Sequence, residues 1–192
     1  MTKKLEVGCG DNKRVGYIGM DIVPLDGVDI VHDMNKIPWP FDQNEFEEII
    51  FDDVLEHSKN FLGILEEIYR VGKNGCAIKI SVPHYSSDNM YADPTHTMFF
   101  SSRSFNYFDK SLGYKHTFYL QNVNFKIKKI HLSFREYFTH DGEKPFFNPL
   151  KWIGMEWLIN KFSRIYERFF CWIIPASEIY YELNVVKTKS DN

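Results

Sequence analysis

No apolar run in the 192-residue chain approaches the ~18–20 residues that crossing a bilayer requires, so no membrane-spanning helix is expected. Cysteine is scarce. Cys9, Cys76 and Cys171 are odd in number, far apart and in no Cys-x-x-Cys pair, which argues against a disulfide framework and against a zinc ribbon. A dominant charge sign is also lacking, since 23 Lys+Arg against 26 Asp+Glu leave a formal charge of −3. No strong field draws the chain to DNA, and no basic stripe reads as a nucleic-acid surface. The opening segment has no apolar signal-peptide core, and the expected location is cytoplasmic. With 44% hydrophobic and 26% charged residues the chain is not disordered, and its length suits one domain spanning 1–192. Aromatic residues are what it has in plenty: 17 Phe and 11 Tyr, most of them after residue 84.

The first half alternates strand and helix signals. Short apolar runs at 5–8, 17–23, 28–32, 48–51 and 77–82 read as strands. Between the last two, residues 54–71 read as a helix, with Phe61, Ile64, Leu65 and Ile68 on one face and Gly72 beyond its end. Such alternation implies an α/β fold with a parallel sheet. Residues 84–100 read as a long polar loop, and 101–109 as a short helix capped by Ser101 or Ser102. Together, 84–110 are expected to cover an active site. Residues 125–134 and 179–187 read as a late antiparallel pair, with an aromatic helical insertion at 146–176 between them.

The first strand runs into Glu6-Val7-Gly8-Cys9-Gly10, where two glycines permit a tight turn and close approach of a ligand to the backbone. Acids follow at the ends of the next strands. Asp21 can accept both hydroxyls of a ribose, Asp33 can accept from an exocyclic adenine amine, and Asp52 closes the fourth strand. Carboxyl ends of parallel strands face one crevice, so these groups share an edge. Each acid alone is an ordinary turn former, and it is the ordered set that points to a nucleotide.

Leu5 to Gly10, Gly19-Met20-Asp21, Asp33, Asp53-Val54-Leu55-Glu56-His57 and Ile68-Tyr69-Arg70-Val71-Gly72-Lys73-Asn74-Gly75 resemble class I S-adenosylmethionine-dependent methyltransferases. The resemblance covers 4–83 well and the remainder loosely. It implies a Rossmann-like sheet, mostly parallel with an antiparallel last strand. It also implies that Glu6, Gly8 and Gly10 hold the methionine end, Asp21 the ribose, and Asp33 with Met34 the adenine. The candidate donor set is therefore Glu6, Gly8, Cys9, Gly10, Asp21, Ile22, Asp33, Met34 and Asp52. Only Asp11 to Gly16 separate the glycine turn from the second strand, too few for the usual first helix, so Asn12 or Lys13 is expected to take over its contacts. This shortened form resembles small methyltransferases of sugar and polysaccharide biosynthesis, and it implies methyl transfer to a hydroxyl of a small-molecule or glycan acceptor.

Asp53, Glu56 and His57, at i, i+3 and i+4, fall on one face at the start of the 54–71 helix. With His96 from the polar loop they can bind Mg²⁺ or Mn²⁺. The pattern resembles small-RNA 2′-O-methyltransferases and ubiquinone-pathway O-methyltransferases, which makes an RNA 2′-O-methyltransferase the alternative function. The competing reading is a capping box at Asp53 and Glu56 with no ion. His84, after Pro83 at the active edge, is a candidate base, with His57 and His96 as further catalytic candidates. A non-catalytic binding protein on this fold is the rival in another class, and the presence of Gly8, Gly10 and Asp21 counts against it. The aromatic stripe of 149–174, including Trp152, Trp157, Phe162, Tyr166 and Phe170, leaves three roles open: core, a homodimer contact, or a weak membrane-surface contact.

Overall fold

The structure, a computed structural model, describes residues 3–114, 122–134 and 154–187. Among these, seven strands form one sheet. They are β1 (Lys3–Val7), β2 (Ile18–Asp21), β3 (Ile30–Val31), β4 (Phe46–Asp52), β5 (Gly72–Pro83), β6 (Phe125–Ser133) and β7 (Glu178–Val185). Their order is β3-β2-β1-β4-β5-β7-β6. The first five pair in parallel. β7 enters between β5 and β6 and is antiparallel to both, as the sequence pattern predicts for the last pair. The chain steps from β1 outward to β2 and β3, then back across to β4. That reversal opens a crevice at the carboxyl ends of β1 and β4, where ligands of open α/β sheets sit.

The interior strands are apolar on both faces, as strands covered on both sides require. Ile49, Ile50 and Phe51 in β4 and Leu5 and Val7 in β1 are all buried. Helix α1 (Phe61–Val71) covers one face through Ile64, Leu65, Ile68 and Val71. The expected helix over 54–71 is therefore broken. Residues Leu55–His57 form a single 3₁₀ turn, Ser58 is extended, and α1 starts at Asn60, whose side chain accepts from the Gly63 amide at 3.3 Å. That Asn cap, rather than an Asp53–Glu56 capping box, supplies the helix start.

Residues 84–112 also differ from a free polar loop. They contain helix α2 (Asn89–Ala92), and His84 forms a parallel bridge with Phe100. The amides of Thr97 and Met98 both donate to the Glu56 carbonyl, at 2.8 and 3.0 Å. Phe100, Phe105 and Phe108 are buried, while Phe99 is exposed. Aromatic burial fastens this stretch where its polar composition suggested a loose one. The 101–109 helix is reduced to turns and a 3₁₀ segment at Asn106–Phe108.

The described part of the aromatic insertion is two short helices, α3 (Met155–Lys161) and α4 (Ser163–Phe169), meeting at Phe162. Ile159, Tyr166 and Cys171 are buried. Trp157, Phe169, Trp172 and Ile173 are more than half exposed. Trp152 lies outside the described residues.

The crossover from β3 to β4 has no helix, and the Glu67–Arg70 ion pair anchors its middle. The Glu67 carboxylate, inside α1, accepts from the Trp39 amide at 2.6 Å and from Arg70 Nε and Nη2 at 2.8 and 2.6 Å. Arg70 in turn donates to the carbonyls of Phe41 and Trp39. Burial pushes Glu67 up, but Arg70 and the Trp39 amide outweigh it and hold the carboxyl below its ordinary value. Replacing Glu67 by Ala strands a partly buried cation and an amide, so Glu67→Ala should lower unfolding free energy by about 3 kcal/mol. A urea melt with an unchanged midpoint would contradict this.

Candidate active site

The turn after β1 leaves ordinary strand geometry. Gly8 and Gly10 both have positive φ, +69° and +56°. The Gly8 amide donates to the Met20 carbonyl at 2.7 Å, which binds the turn to β2. A Cβ on Gly8 would lie 2.1 Å from Val54 Cγ2, so only glycine lets the turn sit against the segment after β4. The Gly10 amide donates to Asp21 Oδ2 at 2.9 Å, and the Val23 amide to Oδ1 at 2.9 Å. The Asp21 carboxylate is thereby fixed at the crevice, with lone pairs left for two hydroxyls.

This crevice has a volume of about 540 Å³. Of the expected donor set, Gly8, Asp21, Ile22, Asp33 and Met34 line it. The Asp33 carboxylate accepts from the Asn35 amide and side chain at 2.9 and 3.0 Å. Burial raises its pKa and those two bonds more than offset it, so the net shift is downward and Asp33 is ionised. Cys9 and Gly10 are not among the lining residues. Burial raises the Cys9 thiol, which keeps it protonated and inert.

Glu6 and Asp52 are placed differently from the expectation. Arg14 takes both: its guanidinium pairs with Glu6 and, at 2.6 Å, with Asp52, and its amide donates to Glu6 at 2.7 Å. Neither acid lines the crevice. Lys13, expected to replace helix contacts, instead pairs with Asp29 at 2.6 Å. In the absence of a first helix, these two cations clamp the short loop to the sheet.

Beyond the crevice lies the acid–histidine cluster. Ligand atoms of Glu56, His57 and His96 fall within 4.8 Å of one another, and the two rings are 4.7 Å apart. Asp53 is not in this set. It follows β4 with φ +51° and lines the crevice instead, because no helical turn forms there to bring it onto the Glu56 face. The two imidazoles are oriented from outside. His96 Nδ1 lies 3.2 Å from the Met90 carbonyl, an acceptor only, so Nδ1 carries the proton and Nε2 faces Glu56 Oε1 at 3.9 Å. The Thr95 hydroxyl donates to Asp93 Oδ1 at 2.7 Å and so accepts from His57 Nδ1 at 2.8 Å, leaving His57 Nε2 with its lone pair. Burial and His96 push His57 below its ordinary value, which keeps it neutral.

No family model and no curated protein matches this sequence. Solved structures do. A S-adenosylmethionine-dependent methyltransferase from Archaeoglobus fulgidus is 16% identical with a TM-score of 0.54, covering 96% of this chain and 86% of its own. Another from Aquifex aeolicus is 13% identical with a TM-score of 0.53, over 96% and 82%. The cyclase SpnF is 13% identical with a TM-score of 0.54, over 97% and 76%. The fold is that of the class I S-adenosylmethionine-dependent methyltransferases.

On this methyltransferase fold, His84 is not where a base for the crevice would sit. It is fully buried, with Nδ1 2.8 Å from the Ser86 hydroxyl and Nε2 3.4 Å from Glu167 Oε1. β5 continues to Pro83, and the bridge to Phe100 turns the ring inward. Glu167, unnoticed in the sequence, completes this buried set by accepting from the Ser102 amide and hydroxyl at 2.5 and 2.7 Å. Asn35 and Lys59 were also missed as crevice residues. Asn35 follows Asp33-Met34 in a turn, and its Oδ1 takes the Lys59 and Asn60 amides at 2.6 and 3.2 Å. An Asn after a strand-end Asp is the kind of turn signal that could have flagged it.

Burial, reinforced by Asp53, raises the Glu56 carboxyl to about 8, and its Oε2 is buried without a hydrogen bond. A carboxyl raised in the native state keeps a proton that the unfolded chain releases. Its ionisation therefore costs stability as pH rises from about 4.5 to about 8. Between about pH 5 and pH 8 the wild type should lose of order 4 kcal/mol relative to Glu56→Gln. Paired urea melts check this, and a constant difference at both pH values would overturn it.

Proposed function

We propose that this chain transfers the methyl group of S-adenosylmethionine to a hydroxyl of a sugar or other small acceptor. The observation that carries the reading is the crevice in which a positive-φ glycine, a twice-anchored Asp21 and an ionised Asp33 line up along three strand ends. Gly8 admits the methionyl part against bare backbone, Asp21 accepts from the ribose, and Asp33 with Met34 takes the adenine. The sulfonium is a good leaving group, so the protein's share of the chemistry is alignment, exclusion of water and removal of the acceptor proton.

His57 is the group suited to that last task. It is neutral, lines the crevice, and is held by Thr95 with Nε2 free to accept a proton. His57 replaces His84 in this role. Glu56, His57 and His96 fit a divalent cation as an alternative to that base role, since His57 Nε2 would then be a ligand: the donor set is one carboxylate and two oriented imidazoles, and Glu56 Oε2 lacks a hydrogen bond. Such an ion, when bound, supplies positive charge that lowers the pKa of an acceptor hydroxyl. The same cluster supports RNA 2′-O-methylation as a second reading, against which the net charge of −3 counts.

Incubation with methyl-labelled S-adenosylmethionine and a panel of sugars, sugar phosphates and RNA tests the reading. A labelled sugar product is expected, lowered at least about tenfold by Asp21→Ala or His57→Ala. Activity on RNA alone would move the acceptor to the second reading, and no labelled product from any acceptor would overturn methyl transfer. If the cation is used, Mn²⁺ binding by calorimetry should strengthen with pH as Glu56 deprotonates and vanish in His96→Ala.

A further inference from the structure

Outside the donor crevice, one polar cavity of about 260 Å³ is lined by Tyr85, Ser101, Arg103, Arg164, Glu167 and Arg168. It shares no lining residue with the crevice. Tyr85 follows the end of β5, so the cavity opens near the same edge of the sheet. Arg164 and Arg168 stand at i and i+4 on α4, a spacing at which like charges repel. Arg103 arrives from the turn after Ser101. None of the three guanidinium groups has a carboxylate within ion-pair distance among the described residues. The other arginines described there, Arg14 and Arg70, are both paired with acids.

The one acid in the wall does not supply the missing counter-charge. Glu167 turns its carboxylate to the Ser102 amide and hydroxyl and to His84. The Tyr85 hydroxyl donates to the Glu167 carbonyl at 2.9 Å, and burial raises its pKa, so it adds no negative charge. The wall thus carries three cations and one internally satisfied anion around a space suited to a small polyanion. Planar guanidinium forks match the oxygens of phosphate in geometry as well as charge.

We propose that Arg103, Arg164 and Arg168 form a binding site for a phosphate or diphosphate group. The group belongs either to a soluble phosphate ester or to a lipid headgroup. The neighbourhood accommodates both. Trp172, 66% exposed, packs edge-on against Tyr85 at 5.6 Å, and the far side of α4 presents an apolar cavity walled by Phe162, Ile165, Tyr166 and Phe170. The site stands on these three cations and does not depend on methyl transfer.

Calorimetric titration with inorganic pyrophosphate is the test. The wild type should bind it, Arg103→Gln/Arg164→Gln should weaken binding at least about tenfold, and Lys128→Gln, an exposed cation elsewhere, should leave it unchanged. Binding of S-adenosylhomocysteine, measured on the same samples, reports separately on the donor crevice, and far-UV circular dichroism reports folding. Flotation with phosphatidylcholine vesicles containing phosphatidic acid then separates the sources. Binding that is lost in the double variant and competed by pyrophosphate assigns a lipid headgroup, and no flotation alongside intact pyrophosphate binding assigns a soluble ester. No pyrophosphate binding by the folded wild type, or equal binding by wild type and double variant, would overturn the proposal.

Discussion

The close approach of Gly8 to Val54 is the constraint on which the site depends. At φ +69° the chain turns out of β1 with no side chain in the way, and the Gly8 amide reaches the Met20 carbonyl. The segment after β4 can then come within van der Waals range of the turn. That contact sets the width of the crevice between β1 and β4. It also fixes where Asp53 and Val54 enter its wall, and hence where the Leu55–His57 turn presents Glu56 and His57.

A second constraint is the missing first helix. In its place, Arg14 bridges Glu6 and Asp52, and Lys13 holds Asp29. Glu6 is 5% exposed, so its pair with Arg14 is shielded from solvent on the acid's side, while the Arg14–Asp52 contact is more open and worth less. Two of the acids in the expected donor set, Glu6 and Asp52, thus hold the short loop between β1 and β2.

The sheet was legible in the sequence because its signals are local and redundant: apolar runs of strand length, separated by turn residues. The strand-end acids were legible as a set for the same reason. Less legible was anything decided by packing across the chain. The break at Ser58 to Asn60 depends on Asn35 accepting the Lys59 and Asn60 amides. The inward turn of His84 depends on Phe100, sixteen residues on, and on Glu167 in α4. The convergence of His96 with Glu56 and His57 was anticipated from chemistry, whereas the exclusion of Asp53 came from a positive backbone angle no pattern announces. The aromatic stripe likewise read as one wide helix, while the break at Phe162 turns part of it outward.

The central claim is that the glycine turn builds the donor crevice, and calorimetric titration of S-adenosylhomocysteine into wild type, Gly8→Ala and Gly8→Ala/Val54→Ala tests it most directly. The account predicts binding by the wild type, at least about tenfold weaker binding by Gly8→Ala, and partial recovery in the double variant, where the clash with Val54 is relieved but the unfavourable φ remains. Failure of the folded wild type to bind, or equal affinity in wild type and Gly8→Ala, would contradict it.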